Sequence, residues 1–255
     1  MIESPYGAAS TANPWLLQGA PGPAEFVIFG FHYAGTGAGS SYRDWPQQIG
    51  SGWFCPLQPP GREDRIVEDP LPTQHAFAEQ LAAAIRPYLD RPYAFVGHCG
   101  AFPYMLETTL HLAELGLPLP RRLFASSWGA PHKGLYGRLN FVDLDQLDII
   151  AEIQQITQLR LGSPLPTDLV ELAAETLMFD LRALRGYRYD GNPPVPCPTV
   201  VLGWTEDDIV PPEEVWPSAW DECSNASYHL LQGDHWEFLR CSPKLRAIIE
   251  TEMMN

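Results

Sequence analysis

The sequence predicts an α/β protein with a mostly parallel central sheet and helices on both faces. Short, nearly all-apolar runs recur along the chain, which is typical of strands buried on both faces, and helix-compatible segments separate them. With 255 residues, of which 45% are hydrophobic and 18% charged, the chain is long enough for one large domain with a substantial core. We therefore expect residues 1–255 to form a single domain.

The predicted elements follow in chain order. Residues 1–24 are rich in Pro, Gly, Ala and Ser and are expected to form an extended lead-in, and residues 35–41 are expected to form a flexible loop. The candidate strands are the apolar runs at 26–31, 53–57, 93–96, 122–127, 198–203 and 228–231. The candidate helices run from a Thr73 cap to about Leu89, from Phe102 to Leu112 and from Ser242 to Met254.

The segment 139–190 differs from the rest of the chain. It has no strand pattern and predicts helices broken at 161–166, where Gly and Pro cluster. A helical insertion within a βα alternation suggests a cap over a site. We therefore predict a helical lid at 139–190 within the single domain.

The most informative stretch is Gly97-His98-Cys99-Gly100-Ala101, which follows an apolar strand and precedes a helix. Strand, sharp turn and helix, with the nucleophile at the tip, is the layout of the nucleophile elbow of α/β hydrolases, where the nucleophile is usually serine. Asp207 and Asp208 follow the strand at 198–203, and His235 follows the strand at 228–231. Nucleophile, acid and histidine occur here in the α/β-hydrolase order, each at a predicted strand end.

These residue types define a reaction. Cys99 is expected to attack a carbonyl carbon as a thiolate, with His235 as the base that takes the thiol proton and later returns it. Asp207 is expected to orient the imidazole and stabilise its cation. The backbone N–H groups of Gly100 and Ala34 are the candidate oxyanion donors.

Each assignment has an alternative. Cys99 is alternatively a buried structural thiol, and His235 a surface loop histidine. The spacing Asp207-Asp208-Ile209-Val210-Pro211 favours Asp207 as the acid, with Asp208 as a solvated or turn residue. His98 is expected to pack against or orient the elbow, whereas His32 either lines the site or shapes the loop after the first strand. The remaining cysteines are expected to be core or bystander residues.

Composition excludes several other classes. The net charge of −15 argues against nucleic-acid binding, and no apolar run is long enough to cross a membrane. The first residues lack the basic start and apolar core of a secretory signal. The five cysteines contain no CxxC pair and the seven histidines no HExxH motif, so we expect reduced thiols, no metal and no cofactor. A cytoplasmic monomer is the expected form.

The chain resembles the type II thioesterases that accompany nonribosomal peptide and polyketide synthases. The resemblance is collinear over nearly the full length. It rests on segments that begin at Asn13-Pro14-Trp15-Leu16, Ala34-Gly35, Ser41-Tyr42-Arg43-Asp44-Trp45, Pro60-Gly61-Arg62, Arg91-Pro92-Tyr93, Ala130-Pro131-His132, Phe179-Asp180-Leu181-Arg182, Cys197-Pro198, Gly203 and Gly233-Asp234-His235-Trp236.

The resemblance implies an α/β-hydrolase fold with a helical lid and a substrate held on the phosphopantetheine arm of a carrier protein. It assigns the nucleophile to Cys99, the acid to Asp207, the base to His235 and the oxyanion donors to Ala34 and Gly100. The chain departs from the family in having Tyr33 where histidine is usual, an altered elbow, and above all cysteine in place of serine.

The cysteine changes the expected outcome of the reaction. An acyl-cysteine thioester is nearly equal in free energy to the carrier thioester that it comes from, so transfer to another thiol is close to thermoneutral. We therefore expect an acyl or aminoacyl shuttle between carriers. Hydrolysis of stalled or wrong acyl groups is the alternative, because cysteine enzymes also hydrolyse through acyl-thioester intermediates. A non-catalytic binding partner of a synthase is a more remote alternative.

Overall fold

The computed structural model describes residues 13–215 and 219–255, and residues 1–12 of the expected lead-in lie outside this part of the chain. Its sheet has seven strands in the order β2-β3-β1-β4-β5-β6-β7. The strands are β1 (Phe26–Phe31), β2 (Gln48–Ile49), β3 (Gly52–Pro56), β4 (Tyr93–His98), β5 (Arg122–Ser126), β6 (Thr199–Trp204) and β7 (Ala226–Leu231). All neighbours pair in parallel except β2 and β3, so the predicted mostly parallel sheet is confirmed.

The α-helices are α1 (Ala38–Tyr42), α2 (Gln74–Ile85), α3 (Phe102–Glu114), α4 (Ile149–Leu161), α5 (Thr167–Gly186), α6 (Pro212–Val215) and α7 (Pro243–Met254). Thr73 caps α2 by accepting a hydrogen bond from the Ala76 N–H, as predicted. The helix ends before the predicted Leu89, because Pro87 lies in a 3₁₀ turn that follows it. No helix of the described ranges is long and apolar enough to traverse a lipid bilayer.

Hydrophobic side chains cover both faces of the sheet. In β1 the alternate residues Val27, Phe29 and Phe31 pack into one core cluster with α2 and α3, whereas Phe26 and Ile28 pack into a second with α7. A strand with apolar residues on both faces must be covered by helices on both sides. The predicted two-sided arrangement of helices is therefore confirmed.

Helices α4 and α5, called the insertion helices below, have a small core of their own. The break between them starts at Gly162, whose φ of +70° ends α4. Asp148 caps the start of α4 by accepting from the Ala151 N–H. The hydrophobic faces of α4 and α5 meet around Ile153, Val170 and Leu177.

The expected flexible loop at 35–41 is wrong, because α1 begins at Ala38 within it. The reason is the side chain of Glu63, which lies more than twenty residues further along the chain. The Glu63 carboxylate accepts hydrogen bonds from the N–H groups of Gly37, Gly39 and Ser40 at 3.2, 2.7 and 2.9 Å. A carboxylate at a helix N-terminus satisfies its unpaired N–H groups and its positive end.

The turn after β4 is tight. A methyl group placed on Gly97 would lie 2.5 Å from the Met105 sulfur and 2.7 Å from the Ala101 Cβ. The strand and the helix can therefore cross at this point only because Gly97 has no side chain. The same crossing presents Cys99 at the carboxyl edge of the sheet.

We expect Gly97→Ala to destabilise the protein by about 1–3 kcal/mol, because the added methyl overpacks this crossing. Urea denaturation followed by fluorescence measures the change. Gly186→Ala is the matched control, since a methyl there meets no atom within 4 Å, and it should leave stability unchanged or slightly raised. Equal stability of Gly97→Ala and the parent chain would contradict the tight elbow.

Candidate active site

Cys99 lies at the tip of the turn between β4 and α3. Its φ is +50°, a backbone conformation that costs energy for a residue with a side chain and that is found at functional turns. A 3₁₀ turn over Cys99–Ala101 leads directly into α3. The thiol is partly exposed and lines a cavity, which differs from the alternative of a buried structural thiol.

His235 and Asp207 are brought together from two neighbouring strand ends. The His235 Nδ1–H points at both carboxylate oxygens of Asp207, at 3.0 and 2.9 Å, and both residues are buried. His235 and Cys99 line the same cavity, and the Cys99 side chain is close enough to His235 to raise its pKa. The three predicted residues therefore form a connected chain from thiol to imidazole to carboxylate, the arrangement needed for base-assisted attack by a nucleophile.

Asp207 is held by a further residue that the sequence analysis missed. The Ser127 hydroxyl donates to Asp207 Oδ2 at 2.6 Å, and the N–H groups of Ile209 and Val210 donate to Oδ1 at 3.0 and 2.9 Å. Ser127 follows β5 and has a φ of +50°. Its position as the last residue of the predicted strand 122–127, at the same edge of the sheet, was the available signal.

The buried triad has a distinct electrostatic state. Burial opposes protonation of His235, but the hydrogen bonds and charges of Asp207 and Cys99 outweigh burial and raise the pKa of His235 to about 9. Burial acts against ionisation of Asp207 too, yet the hydrogen bonds from His235 and Ser127 lower its pKa below the usual range. An ionised carboxylate therefore faces an imidazolium at neutral pH.

The two candidate oxyanion donors are close together. A Cβ placed on Gly100 would lie 3.4 Å from the Ala34 Cβ and 3.7 Å from the Ala34 nitrogen. Both residues line the same cavity as Cys99 and His235. The backbones of Ala34 and Gly100 therefore lie near each other in the wall of the cavity that also holds Cys99, and their N–H groups remain the candidate oxyanion donors.

The other candidate residues separate clearly. Asp208 is exposed and lines the cavity, whereas Asp207 is the carboxylate that contacts His235. His98 is buried, stacks on Phe238 and is hydrogen-bonded to the Ser126 hydroxyl at 2.9 Å, in agreement with a packing role.

His32 packs behind the loop that follows β1, against the rings of Phe77 and Tyr104. Burial, together with the nearby Arg62 charge, holds the pKa of His32 well below its usual value. A neutral, fully buried ring in this place shapes the loop and does not line the cavity.

The other four cysteines are buried. Burial raises the pKa of Cys55, Cys197 and Cys241 to about 12 and that of Cys223 to about 11. Such thiols are unreactive near neutral pH. Cys99 is the one cysteine that combines exposure with a histidine partner.

The cavity at Cys99 has a volume of about 330 Å³ and is roofed by the insertion helices. The helices contribute apolar side chains to its wall, Ile153 and Ile156 from α4 and Leu177, Leu181 and Leu184 from α5. Besides His235, its charged residues are Arg138, Glu152 and Asp208, of which the first two form an ion pair. Across residues 13–215 and 219–255, no three His, Cys, Asp or Glu side chains are grouped closely enough to hold a metal ion.

The family model named "Thioesterase domain" matches residues 26–252. The chain belongs to the thioesterase family. A curated relative, linear gramicidin dehydrogenase LgrE of Brevibacillus parabrevis, is 31% identical to this chain over 251 residues. The alignment covers 94% of this chain and 93% of LgrE. The predicted relationship to this family is therefore confirmed.

Solved structures agree with this assignment. The RedJ thioesterase of the prodiginine biosynthetic pathway in Streptomyces coelicolor is 29% identical, with a TM-score of 0.72 over 90% of this chain and 86% of its own. The type II thioesterase BorB of the borrelidin biosynthetic cluster is 24% identical, with a TM-score of 0.78 over 96% of this chain and all of its own. The α/β-hydrolase fold of this thioesterase-family chain is confirmed by both.

The raised pKa of His235 predicts a pH-dependent stability. Folded His235 keeps its proton up to about pH 9, whereas an unfolded histidine releases it near pH 6.5, so the stabilisation is complete below pH 6.5 and is lost as the pH rises to 9. We expect the free energy of unfolding to fall by about 1–3 kcal/mol over this range. His235→Asn should remove most of this fall between pH 6.5 and 8, as measured by urea denaturation at several pH values. Above pH 8 the four buried cysteines, whose pKa values are also raised, lower the stability of both chains. Parallel pH profiles of the two chains would contradict the prediction.

Proposed function

We propose that this chain cleaves an acyl or aminoacyl thioester on a phosphopantetheinyl carrier protein and passes the acyl group to a second thiol. The observation that carries the proposal is the placement of Cys99 beside His235 in the wall of a mostly apolar cavity, with Asp207 hydrogen-bonded to His235 behind it. The names of RedJ and BorB place those relatives in natural-product pathways, which supports a carrier-bound substrate for this chain. The proposed chemistry needs no metal or cofactor.

The first half-reaction transfers the acyl group to the enzyme. The Cys99 thiolate attacks the thioester carbonyl, and the negative oxygen that forms is met by the N–H groups of Ala34 and Gly100. The carbon–sulfur bond to the carrier then breaks. His235, protonated at neutral pH, gives its proton to the departing phosphopantetheine thiol.

The second half-reaction repeats these steps in reverse. A new carrier thiol enters, loses its proton to His235 and attacks the acyl-Cys99 thioester, which frees Cys99. One thioester is broken and one is formed, so the exchange is nearly thermoneutral. The roof of α4 and α5, which we propose as the lid, keeps the cavity apolar and poor in water, and this favours a thiol over water as the acceptor.

Hydrolysis remains the competing function, because water at the same position would release a free acid. The test uses one acylated carrier and one empty carrier of different mass, both followed by mass spectrometry. With the parent chain, we expect the empty carrier to gain the acyl group. With Cys99→Ala, we expect neither an acylated second carrier nor free acid. Free acid without an acylated second carrier would favour hydrolysis and overturn the transfer proposal.

The nucleophile substitution separates the two outcomes further. An acyl-serine ester is lower in free energy than a thioester, so return to a thiol is uphill. We expect Cys99→Ser to give free acid or a trapped acyl-enzyme in the same two-carrier assay. A serine variant that transfers as fast as the parent would refute the role given to the sulfur.

The two adjacent carboxylates provide a matched pair of variants. Asp207→Asn should lower the rate of acylation by about 10³–10⁴-fold, because the imidazole loses the partner that fixes its tautomer. Asp208→Asn, which leaves the His235 contact intact, should cost at least a hundred times less. The rate of thiol release from a carrier thioester measures both, and the reverse ranking would reassign the acid to Asp208.

A further inference from the structure

One buried ion pair joins the insertion helices to the loop that carries Ala34. The Arg62 guanidinium donates to both oxygens of Asp180, from Nη1 to Oδ2 at 2.9 Å and from Nη2 to Oδ1 at 2.8 Å. Arg62 lies in the turn after β3 and Asp180 lies on α5, and both side chains are buried. The pair therefore bridges two parts of the chain that are 118 residues apart.

Both members of the pair also bind the backbone of the loop after β1. Asp180 Oδ2 accepts a hydrogen bond from the Gly35 N–H at 2.8 Å, and Arg62 Nη1 donates to the Thr36 carbonyl at 2.8 Å. The Gly35 N–H belongs to the peptide that directly follows Ala34. Peptide groups are planar, so only the φ and ψ angles of Ala34 relate the direction of the Gly35 N–H to that of the Ala34 N–H.

Packing restricts the same segment. Gly35 has a φ of +79°, and a Cβ there would lie 3.1 Å from the Cβ of Leu177, almost one helical turn before Asp180 on α5. The other side of the loop is held by Gln58, which accepts from the Ala38 N–H at 2.8 Å and donates to the Arg62 carbonyl at 2.7 Å. Residues 34–38 are therefore fixed between the turn after β3 and helix α5.

Two buried charges need a reason beyond stability. Desolvation often cancels the attraction within such a pair, so apolar residues of similar size would serve packing equally well. A carboxylate, however, can accept from a guanidinium and from a backbone N–H at once. What Asp180 adds over an apolar residue is a fixed acceptor for the Gly35 N–H.

We infer that Asp180 and Arg62 are positioning residues for the oxyanion hole, which they hold in its working geometry through the Ala34–Gly35 peptide. The inference rests on the proposed acylation of Cys99. It also means that α5 supplies two things at once, the cavity wall through Leu177, Leu181 and Leu184 and the acceptor that orients the Ala34 N–H.

The test compares two reactions of Cys99 that differ in one respect. Acylation by the acetyl thioester of N-acetylcysteamine passes through an oxyanion, whereas alkylation by iodoacetamide displaces iodide from a saturated carbon and forms none. Both rates are read from the mass of the intact protein, with Cys99→Ala as the blank. A defect in the oxyanion hole slows acylation alone, whereas general damage to the site slows both.

The informative variant is the double substitution Arg62→Met with Asp180→Leu, in which an apolar pair replaces the ion pair and allows folding. We expect acylation to fall by about 10–1,000-fold and alkylation to stay within about twofold, because one donor is misplaced but the thiol and His235 are untouched. Asp180→Asn, which keeps an oxygen acceptor, should be intermediate. Thermal unfolding verifies that each variant is folded.

Glu68→Gln is the matched control. It breaks an equally close ion pair, Arg65 to Glu68 at 2.6 Å, whose carboxylate is exposed and hydrogen-bonds only to Arg65 among the described contacts. Both rates should equal those of the parent. Acylation within about threefold of the parent in the folded double variant, or equal loss of both reactions, would overturn the inference. A parent chain that is never acylated at Cys99 would overturn the proposed function itself, which is a different result.

Discussion

The parallel direction of six strands is the constraint on which the site depends. Five of them lie side by side in the order β1-β4-β5-β6-β7, and each is followed at its carboxyl end by one residue of the site. Those residues are Ala34, Cys99, Ser127, Asp207 and His235. Because neighbouring strands are about 4.8 Å apart, residues from distant parts of the sequence arrive within side-chain reach of one another. The sheet needs no special device for this beyond the turns at Cys99 and Ser127, both of which have a φ of +50°.

The parts of this arrangement that the sequence predicts are those with a local signal. Apolar runs mark the buried strands, and Cys99, Asp207 and His235 can be recognised because each follows such a run. The structure differs from the sequence-based predictions where a residue that is distant in the sequence determines the local structure. Helix α1 forms because Glu63 accepts from its first N–H groups, and neither Gly37 nor Ser40 indicates this. Strand β2 has two residues and no pattern of its own. Asp180 lies in a segment that carries the family resemblance, but nothing in the sequence indicates its contact with Gly35.

The position of Cys99 also explains how one thiol among five is distinguished. Burial raises the pKa of the other four thiols, so they remain protonated and act as packing residues. Their apolar surroundings are sufficient to cause this. Cys99 lies instead at the edge of the sheet, where the backbone turn exposes it and His235 contacts it. The same edge is covered by α4 and α5, so the thiol meets an apolar cavity and not open water.

Helix α5 links that cavity to the reaction geometry. Its leucines line the cavity above Cys99, and its Asp180 accepts a hydrogen bond from the peptide that follows Ala34. Because the leucines and Asp180 lie on one helix, any displacement of α5 would open the cavity and remove the acceptor of the Gly35 N–H together. On the proposed mechanism, an acyl-Cys99 thioester is therefore least reactive when it is most exposed to water. This coupling would protect the acyl-Cys99 intermediate from hydrolysis until an acceptor thiol occupies the cavity, whichever acyl group Cys99 carries.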